Sequence, residues 1–449
     1  MEKNKFSSRI GFVMAVAGSA VGLGNIWRFP YLAAKYGGGT FLIVYIALAL
    51  TIGFTLLVSE TAIGRMTGAP SPIKAYRQLK AGKLRFGGYI NALVPILILP
   101  YYSAIGGWVL KYFYEYLTGN SQALVAPDYF GSFISNPLQP VIFLMAFTGI
   151  CYAIITQGVK DGIEKMSLIL MPVLIVLAVF ISGYTLTTPG AMEGVKYYLS
   201  IKPEYFNIST VVAALGQIFY SLSIGMGILI TFGSYMDKKD DLESSIGQIE
   251  IMDTLIAFLA GMMIIPAVFA FSNGANVAAG PSLMFITLPQ VFASMAFGNI
   301  VGLVFFLLVF FAALTSAVSL YEANVAIVEE VFQIGRKKAN HMLFVWTFGI
   351  GMLVALGFNV LSFVQVAGMS ILDMLDFVTN SIFMPIGALC TVLLIVFVVK
   401  TDKIVAEVKV SSKFIREKVY RFLVKYIAAP ALIVILVSFI LASLKIISI

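Results

Sequence analysis

Charge is sparse along this chain, and the stretches between charges are long and apolar. Runs without an acidic or basic residue cover 10–27, 36–59, 86–110, 129–159, 166–192, 205–236, 254–321, 342–372, 377–399 and 426–444. A helix that crosses a bilayer needs about 20 apolar residues, so every run except 254–321 is sized for one crossing. The exception fits two, joined by a turn-rich segment from Ser272-Asn273-Gly274-Ala275-Asn276 to Pro289. The pattern predicts an all-α polytopic membrane protein of about 11 transmembrane helices. The first run does not read as a cleaved leader: it meets Arg28 where apolar residues should continue, with no small-residue cleavage site after it.

Composition narrows the function. Sixty per cent of the 449 residues are hydrophobic and 12% are charged, against about 25% charged in a soluble domain. A cytosolic enzyme, a disordered chain and a secreted disulfide scaffold are excluded. Cys151 and Cys390 both lie in apolar runs, and His341 is the single histidine. Neither a histidine-ligated metal centre nor a serine-type triad has material to build from. With the N-terminus placed inside, 24 of the 30 Lys and Arg fall on cytoplasmic segments. The positive-inside rule then gives a cytoplasmic N-terminus and an external C-terminus. It also accounts for the net charge of +8 as topology and lipid contact, so no nucleic-acid role follows. The polar stretch from Lys400 to Lys425 is predicted as an internal linker, helical and lying on the membrane surface.

The first span carries the densest chemistry. Gly18-Ser19-Ala20-Val21-Gly22-Leu23-Gly24-Asn25-Ile26-Trp27-Arg28-Phe29-Pro30 puts three glycines, a serine, an asparagine and an arginine at membrane depth. Gly18 and Gly22 also suit a small-residue packing face. Asn25 and Arg28 favour a break near Ala20–Gly24, because unwound backbone is tolerated in a bilayer only where it lines a cavity. Such a break frees carbonyls for a hard cation and N–H groups for an anion. A second pair, Gly225-Met226-Gly227, lies five spans later. Five is odd, so the second unit enters from the other side. Paired interrupted spans in inverted halves point to a transporter's midplane site.

Gly22-Leu23-Gly24-Asn25-Ile26-Trp27-Arg28-Phe29-Pro30 with Gly37-Gly38-Gly39-Thr40-Phe41 resembles the signature of the neurotransmitter:sodium symporter family, in its bacterial amino-acid branch. The likeness recurs at Glu60–Arg65, Gly216–Ser223, Ala312–Ser316 and Asp373–Phe377. It implies a single transporter domain, 1–449, with a LeuT-like 5+5 inverted repeat: helices 1–5 over 10–190, helices 6–10 over 205–399, and helix 11 over 426–447. Helices 1 and 6 would be discontinuous. Many members have twelve spans; the sequence here ends after eleven.

The resemblance also implies the site. One sodium ion would be held by the carbonyls of Gly18, Val21 and Ala312 and the hydroxyls of Thr315 and Ser316. A second would be held by Ala20, Asn25, Ser221, Asp253 and the substrate's own carboxylate. Asp253 replaces the asparagine of many relatives, and its charge would take the place of a bound chloride. The substrate pocket would comprise Ser19, Ala20, Leu23, Gly24, Ile98, Tyr102, Tyr220, Ser221, Ser223, Met226, Ser316, Ser319 and Leu320, with Ile105 near the cargo's tail. Gly22 stands where monoamine carriers have aspartate, which favours amino acids, and flexible Met226 favours a large hydrophobic or aromatic tail. Arg28 and Asp376, with Gln217 beside them, would form an outer gate. Lys3 and Glu330 could meet on the inner side. Gly162 and Pro172 carry a family spacing at which span 5 unwinds, or else mark a proline kink. A channel, an intramembrane enzyme and an amino-acid sensor are the competing classes. Sodium-dependent, saturable uptake into a bacterial cytoplasmic membrane vesicle separates a carrier from all three.

Overall fold

The computed structural model describes residues 5–272 and 280–443. Helix dominates them, and the one β-contact among these residues is an isolated bridge between Val366 and Met369. Among the described residues, nine helices are long and apolar enough to cross a bilayer, from Gly39–Thr67 to Glu417–Ser443. A further pair, Arg9–Ala20 and Gly24–Lys35, meets at a 54° bend. Two shorter helices, Ile208–Ser221 and Ile228–Tyr235, flank the other interruption. The run 254–321 divides between Leu242–Ser272 and Gly298–Phe332, as its length predicts.

The segment between those two differs from the turn-rich expectation. Residues 273–279 lie outside the described residues, but Leu283–Ser294 is helical. Its apolar residues Leu283, Met284, Phe285, Leu288, Val291 and Phe292 are buried. Phe285 stacks on Phe130 at 5.0 Å and accepts the Tyr112 hydroxyl at its carbonyl, 2.8 Å away. Pro289 opens the α-helical part of that helix, Leu288–Ser294, and the Phe285 carbonyl four residues back, which its missing N–H leaves free, is the one that takes the Tyr112 hydroxyl.

Both interruptions have local causes. Ser8 caps Arg9–Ala20 by accepting the Gly11 N–H. At the other end the Gly22 N–H, which a continuing helix would give to the Gly18 carbonyl, goes to Asn25 Oδ1 at 3.2 Å. The second interruption holds Ser223, Gly225 and Gly227 at φ of +55°, +75° and +71°, a region that only glycine enters freely. A buried carboxylate fixes it: Glu60 Oε1 accepts the Gly225 N–H at 2.9 Å. Helix Phe54–Thr67 thereby holds the broken backbone in register.

One face of the molecule gathers the basic residues and their partners. Arg65 and Lys238 share Glu407, each at 2.8 Å, and Arg416 reaches Glu250 at 3.1 Å. The linker does contain a helix, Thr401–Val408, but it is docked on protein. Ile404, Val405 and Val408 are buried, and Glu407 receives Arg65 from helix Phe54–Thr67. Ser7 and Ser8 donate to Glu164, at 2.7 and 3.0 Å, tying the chain's start to helix Val159–Leu186. That helix is wound from Gly162 through Pro172, with a wide-turned opening over Val159–Glu164. Lys3 lies outside the described residues; Glu330 pairs with Arg77.

Candidate functional site

Residues of the two interruptions face each other and enclose a chamber. Its walls include Ser19, Ala20, Leu23, Gly24, Ile98, Tyr102, Tyr220, Ser221, Ser223, Met226, Ser316 and Leu320, together with Gly22 and Asn25. Sequence reasoning named the first twelve. Ser319 is buried but turns its hydroxyl to the Thr315 carbonyl of its own helix, 2.9 Å away, and is not on the wall. Ile105 lines a separate cavity nearer the opposite face.

The chamber is tightly drawn, with a volume of about 30 Å³, room for water rather than a large side chain. Its own polar groups close it. Ser19 and Ser223 share a 3.0 Å hydroxyl contact, and Ser316 donates to the Ser19 carbonyl at 2.7 Å. The Leu23 N–H points at the Tyr102 hydroxyl, 3.4 Å away. Glycine leaves room for facing side chains at two positions here. A Cβ on Gly24 would enter the Tyr220 ring, and one on Gly22 would lie 2.7 Å from Ser316 Oγ and 3.0 Å from the Tyr102 hydroxyl.

Asp253 organises the charged side of the chamber. It is fully buried, on helix Leu242–Ser272. Its Oδ1 accepts from Ser221 at 2.6 Å and from Asn25 at 2.8 Å, and its Oδ2 accepts from Tyr45 at 2.9 Å. Asn25 Oδ1 also receives the Ser221 hydroxyl at 3.2 Å. The carboxylate thus joins both interruptions through neutral donors, and no Lys or Arg pairs with it among the described residues. A lone charge at this depth calls for a cation.

A second cluster of neutral oxygens lies beside Gly18, whose Cβ position is 3.1 Å from Thr315 Cβ. Thr315 donates to the carbonyls of Phe311 and Ala312 at 2.9 and 3.1 Å. A hydroxyl that donates keeps lone pairs for an ion. No cluster of three or more His, Cys, Asp or Glu that could hold a metal occurs among the described residues, so any cation here would meet mostly neutral ligands.

Arg28, Asp376, Ile105 and Tyr220 line the neighbouring cavity, of about 300 Å³. Arg28 and Asp376 make no direct ion pair. The guanidinium lies 5.3 Å from the centre of the Tyr220 ring, and Asp376 accepts from Asn380 at 2.6 Å. Gln217 donates to the Gly24 carbonyl at 3.1 Å. Tyr220 lines both cavities and is the partition between them.

Sequence reasoning missed Tyr45, a single tyrosine in the apolar run 36–59 that reads as packing. Tyr45→Phe removes one hydrogen bond to a buried carboxylate, a loss of about 1.5 kcal/mol. If Asp253 holds a sodium ion, as the resemblance implies, the sodium concentration giving half-maximal transport should rise about tenfold, measured by uptake against sodium titration.

Comparison with known proteins follows the same lines. The family model described as the sodium:neurotransmitter symporter family matches residues 3–123 and 133–448. An uncharacterized sodium-dependent transporter of Bacillus subtilis is 35% identical over 97% of this chain and 97% of its own length. A sodium- and chloride-dependent GABA transporter 2 of Mus musculus is 28% identical over 75% of this chain and 64% of its own. Among solved structures, MhsT in complex with L-phenylalanine superposes with a TM-score of 0.88 at 37% identity, covering 97% of this chain and 99% of that one.

Proposed function

Because the chain belongs to the sodium:neurotransmitter symporter family, and is therefore a sodium-coupled membrane transporter and not an enzyme, we propose that it carries a large hydrophobic or aromatic L-amino acid into the cell by alternating access, without chloride. The observation that carries this reading is the Asp253 cradle. A permanent carboxylate, held by Asn25, Ser221 and Tyr45, stands where both interrupted helices meet. It supplies negative charge that an anion would otherwise bring. The solved relative holds L-phenylalanine, which agrees with a tail pocket of Ile98, Met226 and Leu320 that contains no charge.

In this reading the cargo's carboxylate takes the N–H groups of Leu23 and Gly24 and the Tyr102 hydroxyl. Its ammonium takes carbonyls of Ala20, Tyr220 and Ser221, with Ser223. Cargo entry breaks the Ser19–Ser223 contact and widens the chamber. One sodium ion sits among Ala20, Asn25, Ser221, Asp253 and the cargo; another sits among Gly18, Val21, Ala312, Thr315 and Ser316. Neutral ligands at the latter bind weakly enough to release. Arg28 and Asp376 close over the outer cavity through water, with Tyr220 and Gln217 beneath. Helices 1, 2, 6 and 7 rock against the remainder. Each ion gains ~2.3 kcal/mol per 100 mV and ~1.4 kcal/mol per tenfold gradient, enough for two ions to concentrate the cargo by several orders of magnitude.

Purified protein in liposomes, given a panel of L-amino acids with sodium and chloride replaced independently, tests this. Phenylalanine, tyrosine or leucine should accumulate with sodium gluconate outside, and glycine should not. Uptake of glycine alone, or none without chloride, would overturn the assignment.

A further inference from the structure

One cavity shares no lining residue with the chamber or with the cavity of Arg28 and Asp376. It lies on the basic face, between the Gln157–Asp161 turn and the start of helix Arg336–Leu356, and has a volume of about 710 Å³. Lys5, Lys160, Arg336 and Lys337 line it against one carboxylate, Asp161. Arg336 is already compensated from below by Glu322, at 2.5 Å, but its Nε has no hydrogen-bond partner. Lys5, Lys160 and Lys337 make no ion pair among the described residues. Asn340 is 2% exposed and lines the cavity; its Oδ1, an acceptor, has no hydrogen-bond partner, and its Nδ2 donates to nothing among the described residues. The opening turn of helix Val159–Leu186 also borders the cavity at Gly158, Val159 and Lys160, and a helix start favours an anion.

We propose that this cavity binds the phosphate of an anionic lipid headgroup. Unsatisfied donors and unpaired cations surround an open volume, which suits a compact anion with several acceptor oxygens. The surroundings favour a lipid over a free ion. One turn beyond His341, Val345 is 70% exposed, and Met342 beside it, with Leu168 and Ile169 about two turns into helix Val159–Leu186, also presents an apolar side chain outward. On a membrane protein those side chains meet acyl chains, which sets the cavity at headgroup depth. The bound phosphate would tie the Gln157–Asp161 turn to helix Arg336–Leu356. Arg336 adds a link inward, since Glu322 also accepts from Tyr235 at the end of the second interrupted helix, 2.9 Å away.

The test is native mass spectrometry of the whole detergent-solubilised chain titrated with phosphatidylglycerol or phosphatidylcholine. Wild type should retain one phosphatidylglycerol in preference to phosphatidylcholine. Two surface lysines are worth about thirtyfold in binding to an anionic lipid, so K160Q/K337Q should lose about that much. K196Q/K202Q, outside the cavity, should behave as wild type, and 10 mM inorganic phosphate, roughly a hundredfold excess over lipid, should not displace the lipid. Unchanged retention by K160Q/K337Q overturns the proposal. Displacement by inorganic phosphate overturns the lipid assignment and gives the cavity to a free anion.

Discussion

Asp253→Asn should transport in chloride-free buffer at about one hundredth of the wild-type rate or less, and added chloride should restore part of it. The carboxylate is completely buried and receives Ser221, Asn25 and Tyr45. All three are neutral donors, so its charge is balanced by no side chain. Removing one partner of a buried ion pair costs about 3–5 kcal/mol, or two orders of magnitude and more. The amide is nearly the same size, its oxygen can keep the bonds from Ser221 and Asn25, and the Tyr45 hydroxyl can turn to accept from its N–H, so packing should survive and the deficit should be electrostatic. Rescue by chloride but not by gluconate, in uptake assays on the same liposomes, distinguishes lost charge from lost structure. Wild-type rates from the variant without chloride would end the charge-balance reading.

Gly225→Ala should be the most damaging of the small substitutions. The new Cβ is penalised twice: φ is +75°, and the carbonyl oxygen of Met384 would lie 2.5 Å away. The left-handed conformation costs about 1–2 kcal/mol, and forcing a backbone apart costs about 1–3 more. The shift would also pull Gly225 from Glu60, the bond that holds the second interruption open. Gly68→Ala isolates the first penalty, because φ is +59° and nothing lies within 4 Å. Thermal unfolding in detergent should fall several degrees further for Gly225→Ala than for Gly68→Ala. Sodium-dependent uptake should vanish only in the former.

How much of this was legible beforehand follows from the physics of each feature. Gly22, Gly24 and Asn25 announce the first interruption because polar and flexible residues at membrane depth have few other uses. Gly225 and Gly227 announce the second more faintly, and Ser223, which shares the left-handed backbone, gives no signal at all. The chamber's walls followed from resemblance to a family; periodicity alone would have made Ile98 and Leu320 ordinary core. Ser319 shows the limit of that transfer, since its hydroxyl bonds back to Thr315. Tyr45 and Glu60 meet their partners across 208 and 165 residues, and such pairings leave no local trace. Leu283–Ser294 was hidden because Pro289 reads as a turn, though it opens the α-helical part of that helix. The docking of Thr401–Val408 was hidden by its charges, of which Glu407 turns inward to Arg65.

Equilibrium binding of radiolabelled L-phenylalanine to the purified protein, in sodium gluconate and in potassium chloride, goes to the centre of the account. If facing interruptions hold the cargo and the ion together, the amino acid binds saturably in sodium gluconate and its affinity falls at least about a hundredfold in potassium chloride. Equal binding in the two salts, or binding that appears only when chloride accompanies sodium, would contradict it.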